Sequence, residues 1–259
     1  MKNKSSLMAD AWGALKQNKA ALFSFVTMSA MVVLVILGPL LSPFAIDQTD
    51  WYQLSAKPSF SSGHIFGTDD LGRDLFVRVM YGGRISLMVG LVATMVSVFI
   101  GVSYGAISGY LGGKTDAIMM RVVDVLYAMP FLFFVILLMV FFGRSILLIF
   151  IAIGAVNWLD IARIVRGQTL NIKGKEFVDA ARAGGVSNTK IVFKHIVPNL
   201  LGLVVVYVAL TVPQVILVES FLSFLGLGVQ EPMTSWGALV NQGAKQMETS
   251  PWMLIFPGL

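Results

Sequence analysis

The side chains that could carry enzymatic chemistry are few in this sequence and widely separated. Its two histidines, His64 and His195, stand alone, and the chain contains no cysteine. A metalloprotease pattern (HExxH), a serine-hydrolase pattern (GxSxG) and a Cys/His cluster are all missing from the sequence. We therefore expect no catalytic residues and no metal site in this chain.

One segment comes near to a nucleotide-binding loop. Ser108-Gly-Tyr-Leu-Gly-Gly-Lys-Thr115 ends like the phosphate-binding pattern GxxxxGK[ST], but Ser108 stands where that pattern requires glycine. The segment also follows an apolar helix, whereas a phosphate-binding loop follows a β-strand. We therefore expect that this chain does not bind ATP by itself and holds no cofactor of its own.

The composition is typical of a membrane protein. Of 259 residues, 56% are hydrophobic and 13% are charged, and the mean hydropathy is +0.80. A soluble domain carries about 25% charged residues, and a soluble core of this size could not hide so much apolar surface. The composition argues against intrinsic disorder, a disulfide-linked secreted scaffold and nucleic-acid binding as the main role.

Stretches without acidic or basic residues predict six membrane helices. The helices built on these stretches, some extended past charged residues, lie near 20–41, 85–110, 118–142, 145–164 and 199–224, and a sixth starts near residue 251. A helix needs about 20 residues to cross a bilayer, and the sixth reaches the end of the sequence after about eight. Either the chain is a shortened form of a longer one, or this end lies within the assembly, and we favour the first.

The basic residues predict the direction of these helices. With a cytoplasmic N-terminus, most of the 19 Lys and Arg residues fall on the inner side. The inner ones are Lys2, Lys4, Lys16, Lys19, Lys114, Arg121, Arg163, Arg166, Lys173, Lys175, Arg182, Lys190 and Lys194, and the outer ones are Lys57, Arg73, Arg78, Arg84, Arg144 and Lys245. This bias follows the positive-inside rule. The net charge of +5 therefore indicates topology rather than nucleic-acid binding.

The predicted topology divides the chain into three regions. Residues 1–19 form a cytoplasmic N-terminal tail, 20–84 the first helix with an outer loop, and 85–259 the core domain. The largest inner loop, 165–198, contains two predicted short helices, one within 175–185 and one from 188 to 197, before Pro198 begins the fifth span. This helix pair is either a handle for a cytoplasmic partner or an ordinary loop.

The second predicted helix carries small residues at every fourth position. They are Ala93, Ser97, Gly101, Gly105 and Gly109. Small side chains at this spacing let membrane helices approach closely. The stripe indicates either packing within one subunit or a seam that slides or lines a path.

The fifth predicted helix carries a carboxylate at membrane depth. Glu219 follows a long uncharged stretch, and Pro213, six residues earlier, can bend the helix. A charge at the bilayer centre costs roughly 2.5–3.5 kcal/mol on insertion scales, so it should face protein or water. Pro213 and Glu219 therefore belong either to a translocation path or gate, or Glu219 lies at the outer interface.

Two further charged pairs at i, i+3 spacing are predicted to be structural. Arg121 can pair with Asp124 near the inner interface, and Asp160 can pair with Arg163 at the end of the fourth predicted helix.

The inner loop resembles a known family. Asp179-Ala180-Ala181, Gly185 and Val197-Pro198 resemble the EAA loop (E-A-A-x3-G-x9-I-x-L-P) of permease subunits of bacterial ABC importers. Three positions depart from the motif, because Asp179 replaces Glu, His195 replaces Ile and Val197 replaces Leu.

Motifs elsewhere resemble the peptide and nickel permease branch of this family. They are Gly67-Thr-Asp-Asp-Leu-Gly-Arg-Asp74, Gly83-Arg-Ile-Ser-Leu87, Gly109-Tyr-Leu-Gly-Gly113, Ser223-Phe-Leu-Gly-Leu-Gly228, Pro232 and Ser235-Trp-Gly237. Those that resemble the oligopeptide member most are Arg163-Ile-Val-Arg-Gly-Gln168, Lys175-Glu-Phe177 and Gly184-Gly-Val-Ser187.

The resemblance implies a fold and a set of partners. The fold would be an all-α membrane protein of the type I ABC importer permease class, with six transmembrane helices and the last one incomplete here. It would lie in the lipid of the bacterial cytoplasmic (inner) membrane beside a homologous second permease subunit. Two cytoplasmic ATPase subunits would hold ATP and Mg, and a periplasmic or extracellular binding protein would deliver peptide.

The resemblance also implies a function and a coupling site. The chain would be a permease subunit of an ATP-driven oligopeptide importer, and it would contact the ATPases through Glu176, Asp179, Ala180, Ala181, Gly185 and Pro198. Within the branch, the alternatives are a dipeptide, glutathione or nickel importer. Outside it, the alternative is a secondary carrier driven by an ion gradient, which would require several acidic residues within the spans.

Overall fold

A computed structural model of the protein describes residues 7–143 and 145–259, so Lys2, Lys4 and Arg144, which contribute to the predicted charge bias, lie outside the described residues. Over the described residues every regular element is a helix. The helices are α1 (Leu7–Gln17), α2 (Lys19–Leu41), α3 (Leu75–Leu111), α4 (Gly113–Tyr127), α5 (Phe131–Phe142), α6 (Ile146–Ile172), α7 (Glu176–Ala183), α8 (Asn188–Lys190), a π-helical stretch (Ile191–Ile196), α9 (Val197–Phe224), α10 (Trp236–Lys245) and α11 (Trp252–Gly258).

By length and composition, three helices among the described residues can cross a membrane. They are α2, α3 and the continuous helix Asn188–Phe224, and the bent pair of α4 and α5 adds a fourth if it counts as one span. The predicted number of six spans stays a prediction, and α11 begins close to the residue where the sixth helix is expected.

The chain divides into two compact units, Met1–Arg84 and Ile85–Leu259. In the first unit, the predicted N-terminal tail contains the helix α1. Asn18 then caps α2 through a 3.1 Å bond from the Ala21 N–H to its Oδ1. Near the other end of α2, Pro39 lacks the N–H that would donate the helical hydrogen bond to the carbonyl of Val35. The Nε of Arg84 donates to that carbonyl instead, at 2.9 Å.

The start of α3 differs from the prediction by ten residues. The helix begins at Leu75 instead of near 85, because Asp74 caps it with a 2.8 Å bond from the Val77 N–H to Oδ1. Arg78 and Arg84 therefore belong to the helix rather than to the outer loop. The first turns of α3 contain the charged residues Arg78 and Arg84, so the pattern of uncharged stretches does not include them.

In the second unit, α6 packs against the small-residue stripe of α3. A Cβ at Gly105 would lie 2.3 Å from the carbonyl oxygen of Ala162, and one at Gly109 would lie 2.8 Å from that of Arg166. Ser97 donates to the carbonyl of Gly154 on α6 at 3.3 Å. Backbone therefore approaches backbone along much of both helices, and the structure places the stripe in packing within the chain.

The predicted helix 118–142 is wrong as a single helix. α4 and α5 meet at an angle of 81° across residues 128–130. Pro130 explains the break, because it lacks the N–H of a continuing helix and disfavours the helical conformation at Met129. The connection is a broken span or a re-entrant turn.

The inner loop is more helical than predicted. α6 continues to Ile172, eight residues past the predicted end, and the helix that begins at Asn188 runs without interruption to Phe224. Pro198 therefore lies inside a helix rather than at its start. The π-helical stretch immediately before it provides a wider turn, which accommodates a residue that cannot donate the usual bond.

The helix α10, which the hydropathy pattern did not predict, packs against α9 and α11. Ser235 caps it with a bond from the Ala238 N–H at 3.2 Å. It is a short amphipathic helix with Gly237, Leu239 and Gly243 buried, so a search for apolar runs passes over it.

Candidate functional site: the inner helix and the polar groups of the bundle

The short inner helix α7 is attached to the bundle through one buried side chain. Val178 has no exposed area and lies in a cluster of apolar side chains with Ile191, Val192 and Ile196, together with residues of α3, α6 and α9. Ala181 is half-buried and packs against the same cluster. One face of α7 therefore joins a core that unites four helical elements.

The remaining coupling residues predicted from the resemblance are exposed. They are Glu176, Asp179, Ala180, Gly185 and Pro198. On the outer face of α7, which is the face turned away from this cluster, Ala180 presents only a methyl group. The side chain of Phe177 is 37% exposed. The structure thus presents a small-residue surface with an aromatic neighbour, next to a helix anchored in the core.

Gly185 ends this helix in a conformation that favours glycine. Its φ is +75°, and the N–H of Val186 returns to the carbonyl of Ala181 at 3.1 Å. This is the geometry of a helix C-terminal glycine motif. A Cβ at Gly185 would meet nothing within 4 Å, so the backbone conformation, rather than crowding, accounts for the glycine.

A hydrogen bond connects the C-terminal end of α3 to the same region. The hydroxyl of Tyr110 donates to Oδ1 of Asn188 at 3.0 Å, and the guanidinium of Arg182 lies 5.8 Å from the Tyr110 ring centre. Arg182 also pairs with Asp179 at 3.0 Å. The chain from Arg182 to Asn188 is therefore held against Tyr110 of α3.

The segment that resembles a phosphate-binding loop forms an ionic cluster instead. Asp116 accepts from the hydroxyl of Ser108 at 2.5 Å and from both Nε and Nη2 of Arg166, at 2.7 and 2.5 Å. Lys173 donates to the carbonyl of Gly109 at 3.1 Å. These groups hold together the C-terminal end of α3, the first turn of α4 and the C-terminal part of α6, and the sequence analysis did not identify them.

Glu219 lies in a buried hydrogen-bonded cluster. Its side chain has no exposed area, Oε2 accepts from Ser86 at 3.1 Å, and Oε1 accepts from Ser223 at 2.7 Å. Ser86 in turn accepts from the N–H of Trp236 at 3.2 Å, and Ser223 lies 3.1 Å from the hydroxyl of Ser235. The carboxylate thus holds α9 to α3 and to the segment that leads into α10.

This cluster gives a physical reason for two motifs of the resemblance. A Cβ at Gly228 would lie 1.8 Å from Oγ of Ser223, and one at Gly237 would lie 2.4 Å from Cα of Ser220. Both glycines allow the chain after α9 to fold back closely on that helix. The assignment of Glu219 to a gate stays a prediction, and its geometry favours a structural role.

A groove between α6 and α9 brings together polar side chains that the sequence analysis did not group. Asn157 and Asp160 of α6 and Gln214 of α9 line two adjacent cavities of about 310 and 230 Å³. Residues at the break between α4 and α5 form a wall of the first cavity, and Tyr207 lines the second. We call the surface formed by Asn157, Asp160, Tyr207 and Gln214 the Asp160 groove.

The predicted pairs at i, i+3 spacing are wrong. Nη2 of Arg163 binds Asp124 of α4 at 2.8 Å, and its guanidinium lies 4.3 Å from the ring centre of Tyr127. A pair between helices thus replaces the two pairs expected within them. Pro213, predicted for the path, is exposed on α9 beside Gln214.

In the first unit, the segment Gly67–Asp74 is ordered by buried charges. Asp69 accepts from the N–H groups of Leu71 and Arg73, at 2.9 and 2.8 Å, and from the side chains of Arg73 and Arg78. Nδ1 of His64 lies 2.8 Å from Oδ2 of Asp74. These contacts explain a motif whose role the sequence alone did not reveal.

Comparison with known proteins agrees with the resemblance. A family described as "Binding-protein-dependent transport system inner membrane component" matches residues 101–259. A second, described as the "N-terminal TM domain of oligopeptide transport permease C", matches residues 6–58.

Individual relatives match over nearly the whole chain. The oligopeptide transport system permease protein OppC of Escherichia coli is 60% identical over 97% of this chain and 83% of its own length. The protein of the same name from Haemophilus influenzae is 57% identical over 97% and 81%. The dipeptide transport system permease protein DppC of Bacillus subtilis is 44% identical over 97% and 78%.

These matches agree with an all-helical, multi-pass inner-membrane protein that has the type I ABC importer permease fold. The chain belongs to the family of binding-protein-dependent transport system inner membrane components.

Proposed function

We propose that the protein is the permease subunit of an ATP-driven importer of oligopeptides and forms half of the translocation path. The observation that carries this proposal is an exposed inner helix, α7, anchored in the membrane bundle, in a chain 57–60% identical to oligopeptide permeases. The N-terminus lies in the cytoplasm, in keeping with the basic residues of the inner segments.

The partners follow from this role. A homologous second permease completes the path, and a peptide-binding protein delivers substrate from outside. Two ATPase subunits bind ATP and Mg, and each permease receives an ATPase on its inner surface. For this chain, the exposed Ala180 and Asp179 fit into a groove of the ATPase, with Phe177 beside them.

Coupling would proceed by rigid-body motion. ATP binding draws the two ATPases together, and α7 moves with its ATPase. Because Val178 lies in one cluster with side chains of α3, α6 and α9, a displacement of α7 is passed to the membrane helices rather than absorbed locally. The bundles then rock between inward-facing and outward-facing states.

The test compares two arginine substitutions at exposed positions. Ala180→Arg adds bulk to the outer face of α7, while Asn171→Arg adds the same side chain near the end of α6. In the complete transporter, we expect Ala180→Arg to lower peptide uptake per ATP hydrolysed, or to release the ATPases, while Asn171→Arg retains wild-type coupling.

A cysteine cross-link tests the same contact directly. The chain has no cysteine, so Ala180→Cys introduces a unique thiol. We expect it to cross-link to an ATPase subunit when Asn171→Cys does not. Normal coupling by Ala180→Arg at normal membrane levels, with no cross-link from position 180, would contradict the proposal.

A further inference from the structure

The Asp160 groove contains a carboxylate without a partner in the described part of the chain. Arg163, the basic residue three positions away, binds Asp124 and stacks on Tyr127 instead. Among the side chains that the structure describes (12–143, 145 and 150–259), none forms a salt bridge or hydrogen bond with Asp160 or with the Gln214 amide. Both side chains are exposed to the groove they line.

This carboxylate lies within a predicted membrane helix, which is unusual for an exposed charge. Asp160 belongs to the predicted membrane helix 145–164 and lies about 6 Å before its end at 1.5 Å per residue. A charge within a membrane span is unfavourable against lipid and should face protein or water. The groove therefore faces an aqueous path or another subunit rather than the acyl chains.

We propose that the Asp160 groove binds the N-terminal ammonium of the peptide during its passage, with Asp160 as the counter-charge. This inference rests on the proposed function. An importer that accepts peptides of many sequences can hold on only to groups that all of them share. These are the backbone amides and the terminal ammonium and carboxylate, and of these only the ammonium carries a positive charge that pairs with a carboxylate.

The other groove residues match the remaining shared groups. The Gln214 amide can both donate to and accept from a peptide backbone. Asn157 already donates from Nδ2 to the carbonyl of Ile153 at 3.1 Å, so its oxygen is the atom left to accept. Tyr207 offers a hydroxyl at the other cavity. The groove thus offers hydrogen-bonding groups to parts that every peptide carries.

The geometry also allows for release. The first cavity is bounded by the break between α4 and α5, and the second extends along α6 toward Ile164. Both are open in the isolated chain. A single charge-assisted contact on an open surface holds a peptide weakly enough for it to leave, which transport requires.

The experiment uses the complete transporter in lipid vesicles, with its binding protein, and two substrates. One is trialanine, and the other is its desamino analogue, in which hydrogen replaces the terminal amine. Each is supplied at a concentration that saturates the binding protein, so that differences arise in the membrane complex. The variants are Asp160→Asn, Asp160→Glu and, as a control that removes an exposed carboxylate elsewhere, Asp70→Asn.

We expect wild-type complexes to transport trialanine about tenfold faster than the desamino analogue, the size expected for one charge-assisted hydrogen bond. Asp160→Asn should abolish that preference by slowing trialanine alone. Asp160→Glu should retain most of the preference for trialanine over the desamino analogue. Asp70→Asn should retain all of that preference. This pattern would support the assignment.

Two results would overturn it. If Asp160→Asn leaves both rates unchanged, the carboxylate does not contact the ammonium. If it lowers both rates equally, Asp160 holds the protein together, for instance by pairing with the second permease. A wild-type complex that transports neither substrate would instead contradict the proposed peptide import itself, so the two failures are distinguishable.

Discussion

Ser86 of α3 donates a 3.1 Å hydrogen bond to Glu219 of α9, and the same serine hydroxyl accepts from the N–H of Trp236. The serine therefore links two helices and the start of a third. Glu219 has no basic partner among the described residues. Each of its two carboxylate oxygens accepts a hydrogen bond from a serine hydroxyl. A buried polar group is tolerated at this depth because its hydrogen bonds are made within the protein.

Replacement of Glu219 by leucine tests whether this cluster is structural. Glu219→Leu leaves the hydroxyls of Ser86 and Ser223 without an acceptor, at a cost of about 1–3 kcal/mol for each unsatisfied buried group. We expect a lower Tm of the purified protein in detergent and faster proteolysis after α9. Leu217→Ala, at a 70% exposed position two residues earlier, is the control and should leave the Tm nearly unchanged.

The same variant separates the two roles of Glu219. A wild-type Tm combined with abolished uptake would contradict the structural role and support the gate. A lowered Tm with uptake in proportion to the protein that remains folded would support the cluster.

A methyl group on Gly105 tests the close approach of α3 and α6. Gly105→Ala places a Cβ 2.3 Å from the carbonyl oxygen of Ala162, so the helices must separate, and such overpacking costs about 1–3 kcal/mol. Gly202→Ala is the matched control, because that helical glycine has nothing within 4 Å of an added Cβ. We expect chemical denaturation in detergent to show a loss for Gly105→Ala and no loss for Gly202→Ala. Equal stability of the two variants would contradict the packing described.

The two adjacent aspartates of the outer segment should differ sharply. Asp69 is buried between Arg73 and Arg78, whereas Asp70 is exposed. Asp69→Asn removes the charge that both guanidiniums require, and breaking a buried pair costs about 3–5 kcal/mol. We expect protease cleavage within residues 42–74 and a lower level in the membrane for Asp69→Asn, with Asp70→Asn like wild type. Similar protease resistance of the two variants would show that the buried charges do not order this segment.

Gly185 should tolerate alanine poorly although it has space for it. Its φ of +75° costs an L-residue roughly 1–2 kcal/mol, so Gly185→Ala should loosen the end of α7. We expect fewer peptides imported per ATP hydrolysed. Gly174→Ala, also with nothing within 4 Å of the added Cβ, is the control. Unchanged coupling in Gly185→Ala would show that a fixed end of α7 is not required.

The parts of the fold that the sequence predicted are those that depend on local chemistry. The apolar run of α2, the glycine stop after α7 and the small-residue spacing on α3 each depend on neighbouring residues. Prolines were harder to interpret. Pro130 breaks a helix and Pro198 does not, and the difference lies in the π-helical turn that precedes Pro198, which no pattern of residue types reveals.

The charged contacts were predicted least well because they depend on tertiary structure. Arg163 lies three residues from Asp160 but binds Asp124, which is 39 positions away in the sequence. The sequence does show three polar residues within apolar helices, namely Asn157, Asp160 and Gln214, and this pattern could have marked them as candidate site residues. Their convergence on one groove requires α6 and α9 to pack side by side, which the sequence does not specify.

The most direct test of the account is uptake by reconstituted vesicles that contain the complete transporter and its binding protein, with every ion gradient collapsed by ionophores. If the protein is the permease of an ATP-driven importer, labelled oligopeptide enters only when ATP is supplied, and vesicles that lack this chain take up none. Peptide entry that needs an ion gradient and proceeds without ATP would contradict the account.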